Sequence, residues 1–243
     1  MFVVLALAIE LPYRFAKPYM GDSARNDDAW NAIGAGLLTL SAFVLSLSFS
    51  QAQARYDARR ELVVKEANAI GTTWLRADQL NAGDSARFRR ILTDYTALRL
   101  AAYAGSGEPK DYRDALERNA RQQNAMWTMA SSAVRSQPLH LGPSLLMQAL
   151  NDTIDVSGEQ YQALTSRVPT AMVVLTLLLV TLAAFSTGIR FARDEARPLV
   201  LSVLLVFSYV IVITMNIDYD RPQSGFVKIN LAPLTLQLQS MQG

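Results

Sequence analysis

The sequence predicts an all-α integral membrane protein, and three observations carry that class. First, Ile33–Ser50, Val168–Ile189 and Pro198–Ile217 are uncharged runs of 18, 22 and 20 residues. At 1.5 Å per residue each matches the roughly 30 Å hydrocarbon core of a bilayer. Second, charged residues make up 18% of the 243-residue chain yet avoid all three runs and cluster at their ends. Third, the apolar residues between the runs recur at helical spacing, with no alternation of the kind a strand needs. A soluble helical hairpin could carry two such runs, but not three with charged boundaries.

Taken in order, the first element is the least like a span. Phe2–Ile9 is apolar but would cover only about 12 Å as a helix, and Pro12 follows. It has neither the basic leader nor the small-residue cleavage site of a signal peptide. It reads as the shortened remnant of a first span, with a re-entrant or interfacial segment as the alternative. The domain divisions expected are 1–50 (apolar segment and second-span helix), 51–167 (helical extramembrane domain), 168–217 (transmembrane hairpin) and 218–243 (C-terminal tail).

No proline interrupts Ile33 to Leu80, so the helix of the second span is expected to leave the bilayer and continue for seven or eight turns. Along that extension Tyr56, Val63, Ala67, Ile70, Trp74 and Ala77 form one apolar stripe. Asp84 or Ser85 is the expected cap of a second helix burying Phe88, Ile91, Tyr95, Leu98 and Ala102, which stops at Gly105–Pro109. A third runs from Lys110 to about Ser136 with Tyr112, Leu116, Met126, Ala130 and Ala133 inward. After a turn at Pro138–Pro143, a fourth (Leu146, Leu150, Ile154, Tyr161, Leu164) is expected to feed straight into the third span. The eight residues RFARDEAR then allow only a tight turn, so the last two spans should be antiparallel.

Composition narrows the chemistry. With no cysteine there is no disulfide, thiolate metal site or thiol nucleophile, and the only histidine, His140, lies in the proline-flanked loop PLHLGP. No phosphate-binding glycine pattern and no pair of acids in a cleft-like setting appears, so neither an enzyme nor a cofactor or metal is expected. A net charge of +2 does not suggest nucleic acid, and the short basic clusters abut spans, where lipid headgroups explain them.

Several motifs together resemble the bestrophin-like domain family of bacterial multi-pass membrane proteins. They are Phe49-Ser50, then RYDARRELVVKEANAIGTTWLRA (Arg55–Ala77), Ala149–Asp152 with Ile154-Asp155, Arg167-Val168-Pro169, and DYDRPQSG (Asp218–Gly225). They occur in order over about 200 residues. The chain departs from the pattern at its start, where a full first span is expected, and at Thr153, where a bulkier apolar residue is usual. The resemblance implies a homo-oligomeric, typically pentameric, ion channel in a bacterial cell membrane. Its second span would line the pore and its middle helices would form a cytoplasmic vestibule. Basic residues at the span ends divide seven to six between the two sides, so the positive-inside rule does not orient the chain.

The residues themselves bear on that implication. Ser46, Ser50, Gln53 and Asp57 fall at i, i+4, i+7 and i+11 and share one face, which makes them pore-lining candidates. Gly34, Ser41 and Ser48 recur every seven residues on another face, where a neighbouring helix can approach closely. In the last span Ser202, Tyr209 and Asn216 recur likewise and suit hydrogen bonds between helices. Arg55, Arg59 and Arg60 follow the second span, and Asp218, Asp220 and Arg221 follow the fourth. They are structural ion-pair candidates, a guanidinium–carboxylate clamp between span ends. Two carboxylates are too few for a calcium site without further ligands. Glu66, Asn68 and Arg76 suit polar contacts between helices or the wall of a vestibule. The competing expectation is a non-conducting scaffold or sensor whose helical domain binds a partner protein.

Overall fold

The structure is a computed structural model that describes residues 1–15, 27–104, 109–193, 199–220 and 225–243. Among the described residues all regular structure is helical: α1 (Phe2–Phe15), α2 (Asp27–Arg76), a 3₁₀ turn (Ala77–Gln79), α3 (Ala82–Ala104), α4 (Pro109–Ser136), α5 (Leu141–Thr165), α6 (Thr170–Arg193), α7 (Leu199–Asp220) and α8 (Ala232–Ser240). The chain divides into two compact units, Met1–Ala54 with Arg167–Asp220, and Arg55–Ser166 with Arg221–Gly243. The 50-residue helix α2 supplies residues to both. Its length follows from the absence of proline between Pro18 and Pro109.

The first unit holds the spans. The helices containing the three apolar runs are each long and apolar enough to cross a membrane. Only 11% of the most apolar stretch of α7 is buried inside the chain, which suits a helix in lipid and not the core helix of a soluble protein. The unit packs around Leu5, Ile9, Leu45, Val180, Ala184, Val206, Tyr209 and Ile213. Within it α1 is a 14-residue helix about 21 Å long that runs through Pro12, where the sequence suggested a stop. It packs on α6 at Gly188, which belongs to a row of small residues spaced by four, Ala184, Gly188 and Ala192. The approach is so close that a Cβ on Gly188 would come 2.2 Å from the Ile9 carbonyl oxygen.

The second unit buries the expected α2 stripe. Val63, Ala67, Ile70 and Ala77 pack with Phe88, Leu92 and Tyr95 of α3, Met126 and Ala130 of α4, and Leu146 and Leu150 of α5. Leu234 and Met241 complete that core, so residues set apart as a tail by the sequence fold with the helical unit as α8.

Four local expectations are corrected. The cap of α3 is Asn81, whose Oδ1 accepts the Asp84 N–H at 2.9 Å while its amide donates to Asp84 Oδ2 at 2.7 Å. This reciprocal pairing satisfies a free N–H that neither Asp84 nor Ser85 serves. The turn after α4 ends at His140, and α5 begins with Gly142 and Pro143 in its first turn, where a missing N–H costs nothing. Tyr161 is exposed, not inward. Finally, α5 does not continue into α6: residues 166–169 are in no helix and Ser166 is extended, because Pro169 lacks an N–H and disfavours helical backbone at Val168. The break at 105–108 and the 194–198 segment between the last two spans lie outside the described residues. The same holds for the side chains of Tyr112 and Leu116.

Candidate functional site

The two faces of α2 have different surroundings. In the first unit its small-residue face is engaged by the chain itself. Ser41 Oγ and Tyr209 Oη share a hydrogen bond of 2.7 Å, Ser48 Oγ meets Thr176 Oγ1 at 3.0 Å, and Gly34 lies against Ser186 and Arg190. Tyr209 therefore bonds between helices as its spacing suggested. Nearby, Phe49 meets Tyr219 edge-on at 5.5 Å between ring centroids. On the other face Ser46, Ser50 and Gln53 are exposed in the first unit, and Asp57 is exposed in the second. The second unit carries an open cleft along Asp57, Arg60, Glu61, Val64, Lys65 and Asn68. Lys65 is neutralised by Glu159, with Nζ 2.7 and 3.0 Å from the two carboxylate oxygens.

The charged candidates hold the break between α5 and α6 from within each unit. Arg59 is buried, and its Nε and Nη2 donate to the carbonyls of Ala163 and Ser166 at 2.9 and 2.8 Å. These carbonyls belong to the end of α5, where the backbone lacks its own donors and the dipole favours a cation. In the other unit Asp220 Oδ1 accepts the Val168 N–H at 3.1 Å, while Arg167 Nη1 donates to the Asp220 carbonyl at 2.6 Å. That ties the end of α7 to the start of α6, so the two spans are antiparallel. Asp218 is buried, Arg60 is exposed, and Arg55 is half-buried, its Nη1 lacking a hydrogen-bond partner among the described residues. Arg221 lies outside the described residues. Among the described residues no three histidine or carboxylate side chains converge as metal ligands.

One polar cluster in the second unit was only half visible in the sequence. Glu66, with 0% of its side chain exposed, receives Arg99 Nε at 2.5 Å; Arg99 is itself only 4% exposed. Arg99 Nη2 also donates to Gln160 Oε1, and Tyr103 Oη donates to Glu66 Oε2 at 3.4 Å. Burial alone would lower the Arg99 pKa, but the adjacent Glu66 charge and the tyrosines carry it above its ordinary value. Burial also pushes the neighbouring Tyr95 phenol up. Glu66 was expected either to meet another helix or to line a vestibule, and it meets α3. Its partner was overlooked because Arg99, four residues after Tyr95 on the inward face of α3, is charged and was left out of the apolar stripe. Arg76, which carried the same two expectations, donates from Nη1 to the Leu145 carbonyl at 2.8 Å.

An all-helical chain with three spans and a second, helical unit threaded by one long α2 defines a multi-pass membrane protein. The sequence profile of the bestrophin-like domain matches residues 1–234, and the chain belongs to that family. No curated protein sequence matches it. A crystal structure of a point variant of a bacterial bestrophin homologue from Klebsiella pneumoniae superposes with a TM-score of 0.73 at 15% identity, covering 99% of this chain and 96% of that one. Another variant of the Klebsiella pneumoniae homologue gives 0.72 at 16%, covering 99% and 94%. A crystal structure described as a membrane protein gives 0.72 at 16%, covering 100% and 97%. At such identities the likeness is one of fold.

Proposed function

We propose that the chain is the subunit of a homo-oligomeric ion channel of the bacterial inner membrane, a pentamer, in which Ser46, Ser50, Gln53 and Asp57 of α2 line the water-filled axis. One observation carries this reading: α2 spends its small-residue face on its own chain and leaves its polar face uncovered. A row of hydroxyl and amide groups ending in a carboxylate does not belong against acyl chains, so it calls for water or another subunit. A ring of copies around the axis supplies both, with inorganic ions as the cargo. Family membership and the fold of the bacterial homologues support the same reading. Native mass measurement in mild detergent tests it at the level of assembly. A five-fold mass is the expected result, and a monomer at all concentrations would overturn it in favour of the non-conducting scaffold.

A further inference from the structure

The close seat of α1 on α6, with the Ile9 backbone against Gly188, leaves a gap on the other side of α1. There, between α1 and α7 and wholly within the first unit, a groove of about 360 Å³ opens. That is within the ~300–1,000 Å³ typical of ligand cavities. Ile9 and Val206, both buried, form its floor, and the exposed side chains of Val3, Leu7, Leu199 and Val203 form its walls. Of the described residues that line it, only Glu10, Tyr13 and Ser202 are polar.

Polarity rises along the groove in one direction. On α1 the lining runs from Phe2 and Val3 to Glu10 and Tyr13, about 16 Å of helix. Ile9 meets Gly188, and the uncharged run of α6 ends at Ile189, so the Glu10 end lies at the membrane boundary and the Phe2 end in the hydrocarbon. Water does not settle in the apolar part, because it needs several polar partners, whereas an acyl chain gains contacts that an empty gap lacks. At the boundary Arg14 Nε lies 2.6 Å from Glu10 Oε1, and the Arg14 side chain is 64% exposed. A cation and an anion one turn apart complement a headgroup that carries both a phosphate and an ammonium, the guanidinium taking phosphate oxygens and the carboxylate the ammonium. A purely anionic headgroup would gain from Arg14 but be repelled by Glu10.

We propose that the groove between α1 and α7 binds one phospholipid of the amine-bearing, zwitterionic kind, an acyl chain lying between Leu7 and Val203 and the headgroup at Glu10 and Arg14. The site does not depend on whether the protein conducts.

The test uses the full chain, stripped of lipid in a maltoside detergent and titrated with phosphatidylethanolamine or phosphatidylglycerol under native mass measurement. Wild type should take up one phosphatidylethanolamine per chain saturably, about ten-fold more tightly than phosphatidylglycerol. Val203→Trp, which fills the groove, should weaken that uptake about ten-fold or more. Leu204→Trp, equally exposed on α7 but outside the lining, should not. Glu10→Gln should remove the preference between the two lipids. Uptake without saturation, no preference in the wild type, or equal uptake by the two tryptophan variants would overturn the proposal. So would a groove that takes no lipid while Val203→Trp weakens the oligomer, which would assign it to a second copy of the chain. Should Val203→Trp fail to fold, Leu7→Trp on the facing wall decides in its place.

Discussion

Glu66 and Arg99 show what a single buried pair demands of its surroundings. Each charge is tolerated in the helical unit only because the other is within 2.5 Å and Gln160 and Tyr103 take up further valences. Glu66→Ala or Arg99→Met alone should therefore destabilise the protein by about 3–5 kcal/mol, while the double variant should lose much less than the sum of the two. Chemical unfolding of the four proteins checks this, and additive losses would argue against direct coupling. Tyr95 gives a pH signature. Its pKa is raised by burial, so the folded state holds the phenol proton more tightly than the unfolded chain does. The stability this confers is complete below the ordinary value of 10.0 and is lost as pH rises through the higher folded value. Tyr95→Phe should move the onset of alkaline unfolding upward, as followed by circular dichroism between pH 9 and 12. At Asp220 the carboxylate caps a backbone N–H, so Asp220→Ala should cost about 1–3 kcal/mol. Asp220→Asn, which keeps an acceptor oxygen, should cost clearly less.

At the scale of elements, what periodicity and length encode was readable and what depends on partners was not. The three spans, the continuous α2 and the buried face through Val63, Ala67, Ile70 and Ala77 follow from uncharged runs, missing prolines and helical spacing. The helix α8 was invisible because nine residues carry little periodic signal, and Leu234 is buried only by virtue of its neighbours. The break at residues 166–169 was missed although Pro169 disfavours helix before it, and the arginine that holds the freed carbonyls comes from α2, more than 100 residues earlier. The seat of α1 at Gly188 falls on a row of small residues at every fourth position, Ala184, Gly188 and Ala192, a pattern masked in the sequence by the hydrophobic length of the span. It makes a sharp prediction. Gly188→Leu should displace α1, since even a Cβ would collide with backbone, whereas Gly36→Leu on α2 meets open space and should be tolerated. Proteolytic release of the first 15 residues in one variant but not in the other would be the readout.

For the whole molecule the question is whether the uncovered polar face of α2 meets water on an axis. The polar stripe could be drawn on a helical wheel, but its exposure depends on which face the chain covers by itself, and Ser41, Ser48 and Gly34 supply that answer only once α6 and α7 are in place. The absence of native cysteine makes the decisive measurement direct. Ser46→Cys, Ser50→Cys and Leu204→Cys are reconstituted in liposomes, and ion flux is followed before and after a charged, membrane-impermeant thiol reagent. Leu204 serves as the reference because it is exposed on α7 amid apolar residues. Rapid modification of the two serine positions with a change in flux, and inertness at position 204, is the expected result, since a charged group in a narrow bore alters both its width and its field. Equal inertness at all three positions, or modification that leaves flux unchanged, would contradict a pore lined by α2.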